Sequence, residues 1–271
     1  MIHSESPVSI RQLASEGRNL RPVAAAEIHY PESGAGWLQQ IEEDHFWFTS
    51  RRNLILRLLR RHGLKSSGEG LDIGCGSGFT TGWMNHQGYK TYGIDAYLPP
   101  LMRGGASRSF VTGDIFSITP AEEFDFVLLL DVIEHMEDDL KFVDQASRFL
   151  KPGGLMIISV PSFKWLWSSV DDAAGHQRRY TKRTLSELAS KTRSGMHLEF
   201  QSYYYGTLLP LYLLSRLRKN DAKTLKSETS PPGVINSLFK EILKFEMGLL
   251  GAGGLPVGSS LFSVLRKSGP A

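Results

Sequence analysis

The sequence predicts an α/β fold built on a doubly wound, mainly parallel sheet. Three observations point there. From Gly70 onward, short apolar runs alternate with helix-length segments, the pattern of parallel strands joined by helices. Two of the runs, FVLLL (126–130) and LMIISVP (155–161), are almost continuously apolar, as strands buried on both faces are. LDIGCGSG (71–78) carries a strand into alternating glycines and then a helix; without a Cβ the chain can turn tightly and approach a ligand.

Taken in order, residues 1–36 are polar and carry Pro7, Pro22 and Pro31. They read as an extended arm or lid with at most short helices. In WLQQIEEDHFWFTSRRNLILRLLRRH (37–62), apolar residues at 54, 55, 58 and 59 oppose arginines, which predicts one or two amphipathic helices. Strands follow at GLDIG (70–74), TYGID (91–95), FVTGDI (110–115), FDFVLLL (124–130) and LMIISVP (155–161), with helices over 78–87 and 137–150. KPGG (151–154) reads as a turn between a helix and a strand. Thr181 caps a helix running to about Lys191. HLEFQSYYYG (197–206) alternates as a strand, and SLFSVLRK (260–267) reads as the last one. The expected divisions are an N-terminal arm with lid helices (1–62), a core (63–205), a helical insertion (206–258), and a last strand with tail (259–271).

The chain has 271 residues, 41% of them hydrophobic, and Lys+Arg 31 balances Asp+Glu 28 to give +3. A disordered chain is poorer in apolar residues and more one-sided in charge. A strongly basic nucleic-acid binder is excluded by composition. The single Cys75 excludes an intramolecular disulfide framework and a multi-cysteine zinc site. No run approaches the ~18 apolar residues of a membrane span, and the N-terminus shows no apolar leader core. A reducing, cytoplasmic setting is the expectation.

The glycine loop narrows the ligand. A dinucleotide fingerprint spaces its glycines G-x-G-x-x-G. Here they fall at Gly74, Gly76 and Gly78, with Phe79 at the third fingerprint position. Asp95, about 20 residues on, ends the next strand and can accept from two ribose hydroxyls. In these blocks, together with GDI after strand three, FDFVLLLDVIEH around strand four and LKPGGLMIISVP into strand five, the sequence resembles the class I S-adenosylmethionine (SAM) methyltransferases. Its upstream HFWFTSRR (45–52) is similar to the quinone-biosynthesis O-methyltransferase group. The resemblance implies a Rossmann-like seven-stranded sheet with an antiparallel last strand, and SAM as cofactor with S-adenosylhomocysteine as product. It also implies roles. Asp72, Gly74, Gly76 and Gly78 would face the methionine part of SAM, and Asp95 the ribose. Asp114 and Ile115 would bind or flank adenine, and Leu130 and Asp131 would contact the methionyl end. Arg51 or Arg52 would hold the SAM carboxylate by a bidentate fit, against the reading of a solvated helix face. Trp47 either covers the cofactor or packs in the core.

Two clusters lie where open α/β sheets place ligands. In DVIEH (131–135), Asp131, Glu134 and His135 stand at i, i+3 and i+4 and share a face on a helical turn. Two carboxylates and an imidazole can take a divalent cation; helix packing without metal is the preferred reading. In SFKWLWSSVDDAAGHQRRYT (162–181), His176 is the candidate general base, since histidine titrates near neutrality. Asp171 or Asp172 would orient it, and Tyr180 completes the catalytic group. Trp165, Trp167, Arg178 and Arg179 are candidate acceptor contacts. The competing reading is a loop held by hydrogen bonds around buried indoles. Cys75 has no adjacent base and reads as a small buried residue.

The insertion segments YYYGTLLPLYLLSRLRK (203–219) and VINSLFKEILKFEMGLL (234–250) are amphipathic. They would add core, pair two subunits, roof an apolar pocket or touch a membrane surface. The expected function is methyl transfer from SAM to a small-molecule acceptor, apolar or aromatic, at oxygen. The alternatives are N-methylation of a small molecule and a SAM-binding scaffold without turnover. Nucleic acid is not an expected partner, because no basic-aromatic stripe or N-P-P-Y motif is present.

Overall fold

A computed structural model describes residues 7–20, 41–96, 108–121, 123–217, 231–250 and 254–269. Most of the expected N-terminal arm and of the polar linker at 218–233 lies outside them. In order, the elements are α1 (Ile10–Glu16), α2 (Phe46–Arg61), β1 (Glu69–Ile73), α3 (Phe79–His86), β2 (Lys90–Asp95), β3 (Phe110–Thr112), β4 (Phe124–Leu130), α4 (Asp139–Ser147), β5 (Leu150–Pro161), α5 (Ser169–Ala174), α6 (Lys182–Ser190), β6 (Met196–Tyr204), α7 (Leu209–Leu217), α8 (Gly233–Leu249) and β7 (Ser260–Lys267). One seven-stranded sheet has the order β3-β2-β1-β4-β5-β7-β6. The pairs among β1 to β5 are parallel, and β7 runs antiparallel to both neighbours. The seven strands and the antiparallel last strand are as expected.

The apolar runs explain the layering. Successive strand side chains point to opposite faces. In β4, Val127 and Leu129 join one core cluster with α1, α4 and α6, as does Phe124 ahead of an irregularity in the ladder. Phe126, Leu128 and Leu130 join the other, with α2, α3 and α8. Each fully buried aliphatic or Phe side chain contributes about 1.5–3 kcal/mol, so a strand buried on both faces stabilises the sheet at nearly every residue. No helix among the described residues is long and apolar enough to cross a membrane.

One local expectation is corrected. KPGG belongs to β5 and is no separate turn: Leu150 pairs with Phe124, and a register shift follows before Phe126 pairs with Leu155. An irregularity in the ladder is where a strand tolerates proline, which has no amide to donate.

β6 runs parallel to β5, so the carboxyl ends of β1 to β6 share one edge. The non-glycine residues with positive φ among the described residues are Asp131, Phe163 and Tyr205. Each lies one or two positions beyond β4, β5 or β6 on that edge. Such backbone costs on the order of 1–3 kcal/mol per residue and clusters at functional sites.

Candidate functional site

The glycine loop closes the carboxyl end of β1. Gly74, Gly76 and Gly78 all have positive φ, 76°, 56° and 78°. A Cβ at Gly74 would lie 2.5 Å from Val132, and one at Gly78 would lie 2.5 Å from the Phe110 ring. The loop is stitched to β2: Gly74 N donates to Ile94 O at 2.8 Å, and Gly76 N donates to Asp95 Oδ2 at 2.8 Å. The loop and the acid ending β2 therefore form one unit. Asp72 is buried beneath it and accepts from Thr81 Oγ1 at 2.7 Å. Its Oδ1 is buried with no hydrogen-bond partner among the described residues. Burial, with Asp95 and Glu42 adding to it, pushes the Asp72 carboxyl up to about 6 against the opposing Thr81 hydrogen bond and Arg51 charge. An unpartnered buried acceptor beside a glycine loop fits a cationic or hydrogen-bonding group of a ligand. Cys75 is buried, and its thiol is pushed well up by burial and by Asp95, so it is no thiolate nucleophile.

Asp114 caps the short turn 115–117, accepting from Phe116 N at 2.8 Å, and Ile115 is buried beside it. Both stand just beyond β3, on the same edge as the loop.

The structure separates the two adjacent arginines. Arg51 Nη1 donates to Asp131 Oδ2 at 2.6 Å, and Ser159 Oγ donates to Asp131 Oδ1 at 3.2 Å. Burial opposes the Arg51 charge, but Asp131, Tyr205 and Glu42 together more than offset it and hold the guanidinium above its usual range. Arg52, one helical step round, donates to Glu42 O and Glu43 O and lies over the rings of Phe79 and Trp83. Arg52 thus fastens the 42–43 turn, while Arg51 points to the end of β4. Trp47 stacks on Tyr205, centroids 3.7 Å apart, and Tyr205 Oη donates to Trp47 O.

Two contributors were not anticipated. Glu42 accepts from Ser77 Oγ and so braces the glycine loop from the segment before α2. Tyr205 fixes Trp47. Neither carries a local sequence signal, because the partners lie 35 and 158 residues away.

Beyond β5, Asp171 is wholly buried. It closes a capping box with Ser168 at the start of α5. His176 Nδ1 bonds Asp171 Oδ1 at 2.8 Å, and Arg179 donates to both Asp171 oxygens at 2.7 and 2.9 Å. Burial would raise the Asp171 carboxyl; the hydrogen bonds from His176 and Arg179 hold it well below the usual range instead. An ionised carboxylate on Nδ1 selects the tautomer with Nε2 as acceptor. The His135 and His176 rings meet edge to face at 4.8 Å.

Glu134, His135 and His176 bring one ligand atom each within 4.8 Å of one another. Asp131, grouped with Glu134 and His135 in the sequence, is not part of this trio, and its carboxylate is taken by Arg51 and Ser159. Glu134 is fully buried, and neither carboxylate oxygen has a hydrogen-bond partner among the described residues. Burial, then the Asp131 charge, pushes its carboxyl well up. The trio fits a divalent cation in chemistry, and equally fits a carboxyl that keeps its proton.

The remaining residues have internal duties. Tyr180 is buried, with Oη 2.7 Å from Asp139 Oδ2, and Arg178 pairs with Asp139 at 3.0 Å. Both fasten the segment after β5 to α4. Trp167 donates to Asp172 Oδ1. Trp165 is 60% exposed and stacks on Phe163, which in turn stacks on Tyr203.

A family model described as "Methyltransferase domain" matches residues 44–192. The chain is 32% identical over 102 residues to the ubiquinone biosynthesis O-methyltransferase of Bradyrhizobium sp. (strain ORS 278), covering 35% of this chain and 40% of that protein. It is 38% identical over 97 residues to the enzyme of that name from Cereibacter sphaeroides, covering 33% and 39%. The chain thus spans about two fifths of the length of these relatives. Among solved structures, the Burkholderia thailandensis 1,6-didemethyltoxoflavin-N1-methyltransferase, bound to 1,6-didemethyltoxoflavin and S-adenosylhomocysteine, has a TM-score of 0.50 at 18% identity, covering 81% of this chain and 78% of that one. Haemonchus contortus phosphoethanolamine N-methyltransferase 2, in complex with SAM, has a TM-score of 0.51 at 18% identity, covering 97% and 60%. At these identities the likeness is one of fold.

Proposed function

The chain belongs to the methyltransferase-domain family, and on that premise we propose that it moves the methyl group of SAM to a hydroxyl oxygen of a small molecule. The observation that carries the reading is the His176–Asp171–Arg179 unit at the carboxyl edge of the sheet. A hydroxyl must lose its proton as its oxygen attacks, whereas a neutral amine attacks with its lone pair first. A histidine oriented by a buried carboxylate suits the hydroxyl. The name of the curated relatives, O-methyltransferase, agrees.

The glycine loop would hold SAM. Asp95 would take the ribose hydroxyls, and Asp114 with Ile115 would border adenine. Arg51 would take the carboxylate, while Asp131 and the free oxygen of Asp72 would receive the ammonium. Leu130 would line the methionyl end, with Trp47 on Tyr205 beside it. The acceptor oxygen attacks the methyl carbon in line with sulfur. The C–O bond forms as the C–S bond breaks, the sulfur lone pair leaves on neutral S-adenosylhomocysteine, and the hydroxyl proton passes to His176 Nε2. Proximity of the acceptor oxygen to the methyl group would supply much of the rate. The exposed Trp165, backed by Phe163, offers a flat apolar surface to an aromatic or lipid-like acceptor.

The unpartnered Glu134 favours a second reading, in which Glu134, His135 and His176 hold a divalent cation that polarises the acceptor oxygen. His176 would then be a ligand and not the base. Two measurements separate these. Radiolabelled SAM incubated with host extract identifies whether the label enters organic-soluble, aqueous or macromolecular fractions, with and without chelator. With the acceptor in hand, His176→Ala is expected to lower kcat by about 10²–10⁴ while SAM affinity stays unchanged. Full turnover of that variant removes the base, and chelator-insensitive turnover removes the metal. Absence of transfer despite SAM binding supports a scaffold.

A further inference from the structure

Eight of the thirteen large apolar side chains left exposed among the described residues belong to α7 and α8. On α8, Val234, Leu238, Phe245 and Leu249 stand at i, i+4, i+11 and i+15. At 3.6 residues per turn they fall within an arc of about 60°. Phe245 is 68% exposed and Val234 84%. The opposite side of α8 is spent on the protein, through buried Asn236 and Leu243, and its flank through buried Glu246. Glu246 accepts from the amides of Gly206 and Thr207, so α7, with exposed Leu211, Leu213 and Leu214, starts beside α8.

The border of this stripe is cationic. α2 and α8 lie side by side, tied by Phe46 N to Asn236 Oδ1 at one end and by Arg61 Nη1 to Leu250 O at the other. The last turns of α2 expose Arg57, Arg60 and Arg61 next to the end of α8 that bears Phe245 and Leu249. Lys240 and Lys244 line the cleft between the two helices. The nearby carboxylates of Asp44 and Glu241 pair with Lys240 and Lys244, which leaves the arginines as a net positive rim.

We infer that this face docks on the surface of a membrane rich in anionic lipid. The stripe enters the boundary between headgroups and acyl chains, as amphipathic helices do, and the arginine rim meets lipid phosphate. The net positive rim at the end of α2 matches anionic headgroups and selects the lipid surface, and pairing of two copies through the same stripe is an outcome that the test separates. The docking does not depend on the methyl-transfer reading and is measured without it.

The test is flotation of the full chain with vesicles of phosphatidylcholine alone or with about a third phosphatidylglycerol. Binding is expected with phosphatidylglycerol and to weaken severalfold as salt screens the rim. Leu238→Glu with Phe245→Glu is expected to weaken it about tenfold or more. Arg57→Glu with Arg60→Glu is expected to do so severalfold, a second route should the first pair unfold the chain, as circular dichroism would reveal. Two results overturn the proposal: no binding above the phosphatidylcholine level, or equal binding by both double variants. So does a wild-type dimer that the apolar variant converts to a monomer without change in vesicle binding.

Discussion

Asp72 shows how a single buried carboxyl ties the site to pH. Its folded value, about 6, exceeds the ordinary 3.8. As pH rises, the unfolded chain therefore releases this proton first, and the folded chain holds more protons between about pH 4 and 6. Stability of the ligand-free protein falls across that window, by an amount on the order of 3 kcal/mol from this group, and levels off above it. Glu134, raised by burial, acts in the same direction. Asp72→Asn is expected to flatten the fall; chemical denaturation at pH 4.5 and 7 checks it, and an unchanged slope removes the assignment. Asp95→Ala should weaken SAM binding at least tenfold, as lost charge-assisted hydrogen bonds cost about 1–3 kcal/mol; calorimetry decides. Asp72, the three glycines and Asp95 were legible because their partners lie within about one strand–turn–helix unit. Arg51 against Arg52 was not: neighbours on a helix differ by about 100° in direction, and only packing reveals which one meets Asp131. Glu42 and Tyr205 were silent for the same reason.

Among elements, α2 and α8 work as a pair. Asn236 accepts from Phe46 N at 2.7 Å and donates to Asp44 O at 2.9 Å. It thereby satisfies amide and carbonyl groups where α2 begins, and the first turn of an α-helix otherwise leaves its amides bare. α2 carries both Trp47 and Arg51. Asn236→Ala should cost about 1–2 kcal/mol in urea denaturation and weaken SAM binding severalfold, because α2 frays beside the candidate cofactor clamp. Lost stability with unchanged SAM affinity would confine Asn236 to the fold. The strands were the most legible elements. β4 and β7 coincide with their apolar runs, and α6 starts after Thr181 as its cap predicts. Misreadings arose where tertiary pairing overrode local chemistry. Pro152 and its glycines spell a turn, yet Leu150 is drawn into the ladder against Phe124. The tyrosines of 203–205 were divided between a strand and an insertion segment in the sequence; in the structure Tyr203 and Tyr204 end β6, and α7 waits until Leu209.

At the scale of the molecule, β7 joins the two halves of the sheet. It pairs with β5 over seven residues and with β6 over eight. Without it, β6 has no partner, and the edge of β5 offers unpaired amides and carbonyls to any passing strand. Removal of residues 259–271 is expected to abolish SAM binding and produce aggregates, visible by light scattering after expression. A monomeric truncated chain that binds SAM would mean that β1 to β5 suffice. The sequence order of β6 and β7 was readable, but the insertion of the later strand between the earlier two was not, because no local pattern encodes which edge a strand takes. The carboxyl edge on which the candidate acceptor site rests is therefore complete only when β7 is in place.

That threading also sets a clock for biogenesis. More than fifty residues separate the end of β6 from the start of β7, so both neighbours leave the ribosome well before the strand that belongs between them. During that interval the nascent chain carries an unfilled slot, with the buried apolar run of β5 on one side of it. Until β7 arrives, the open edge of β5 is an unpaired strand edge of the kind that promotes aggregation, so the time taken to synthesise the insertion sets how long the growing chain carries that hazard.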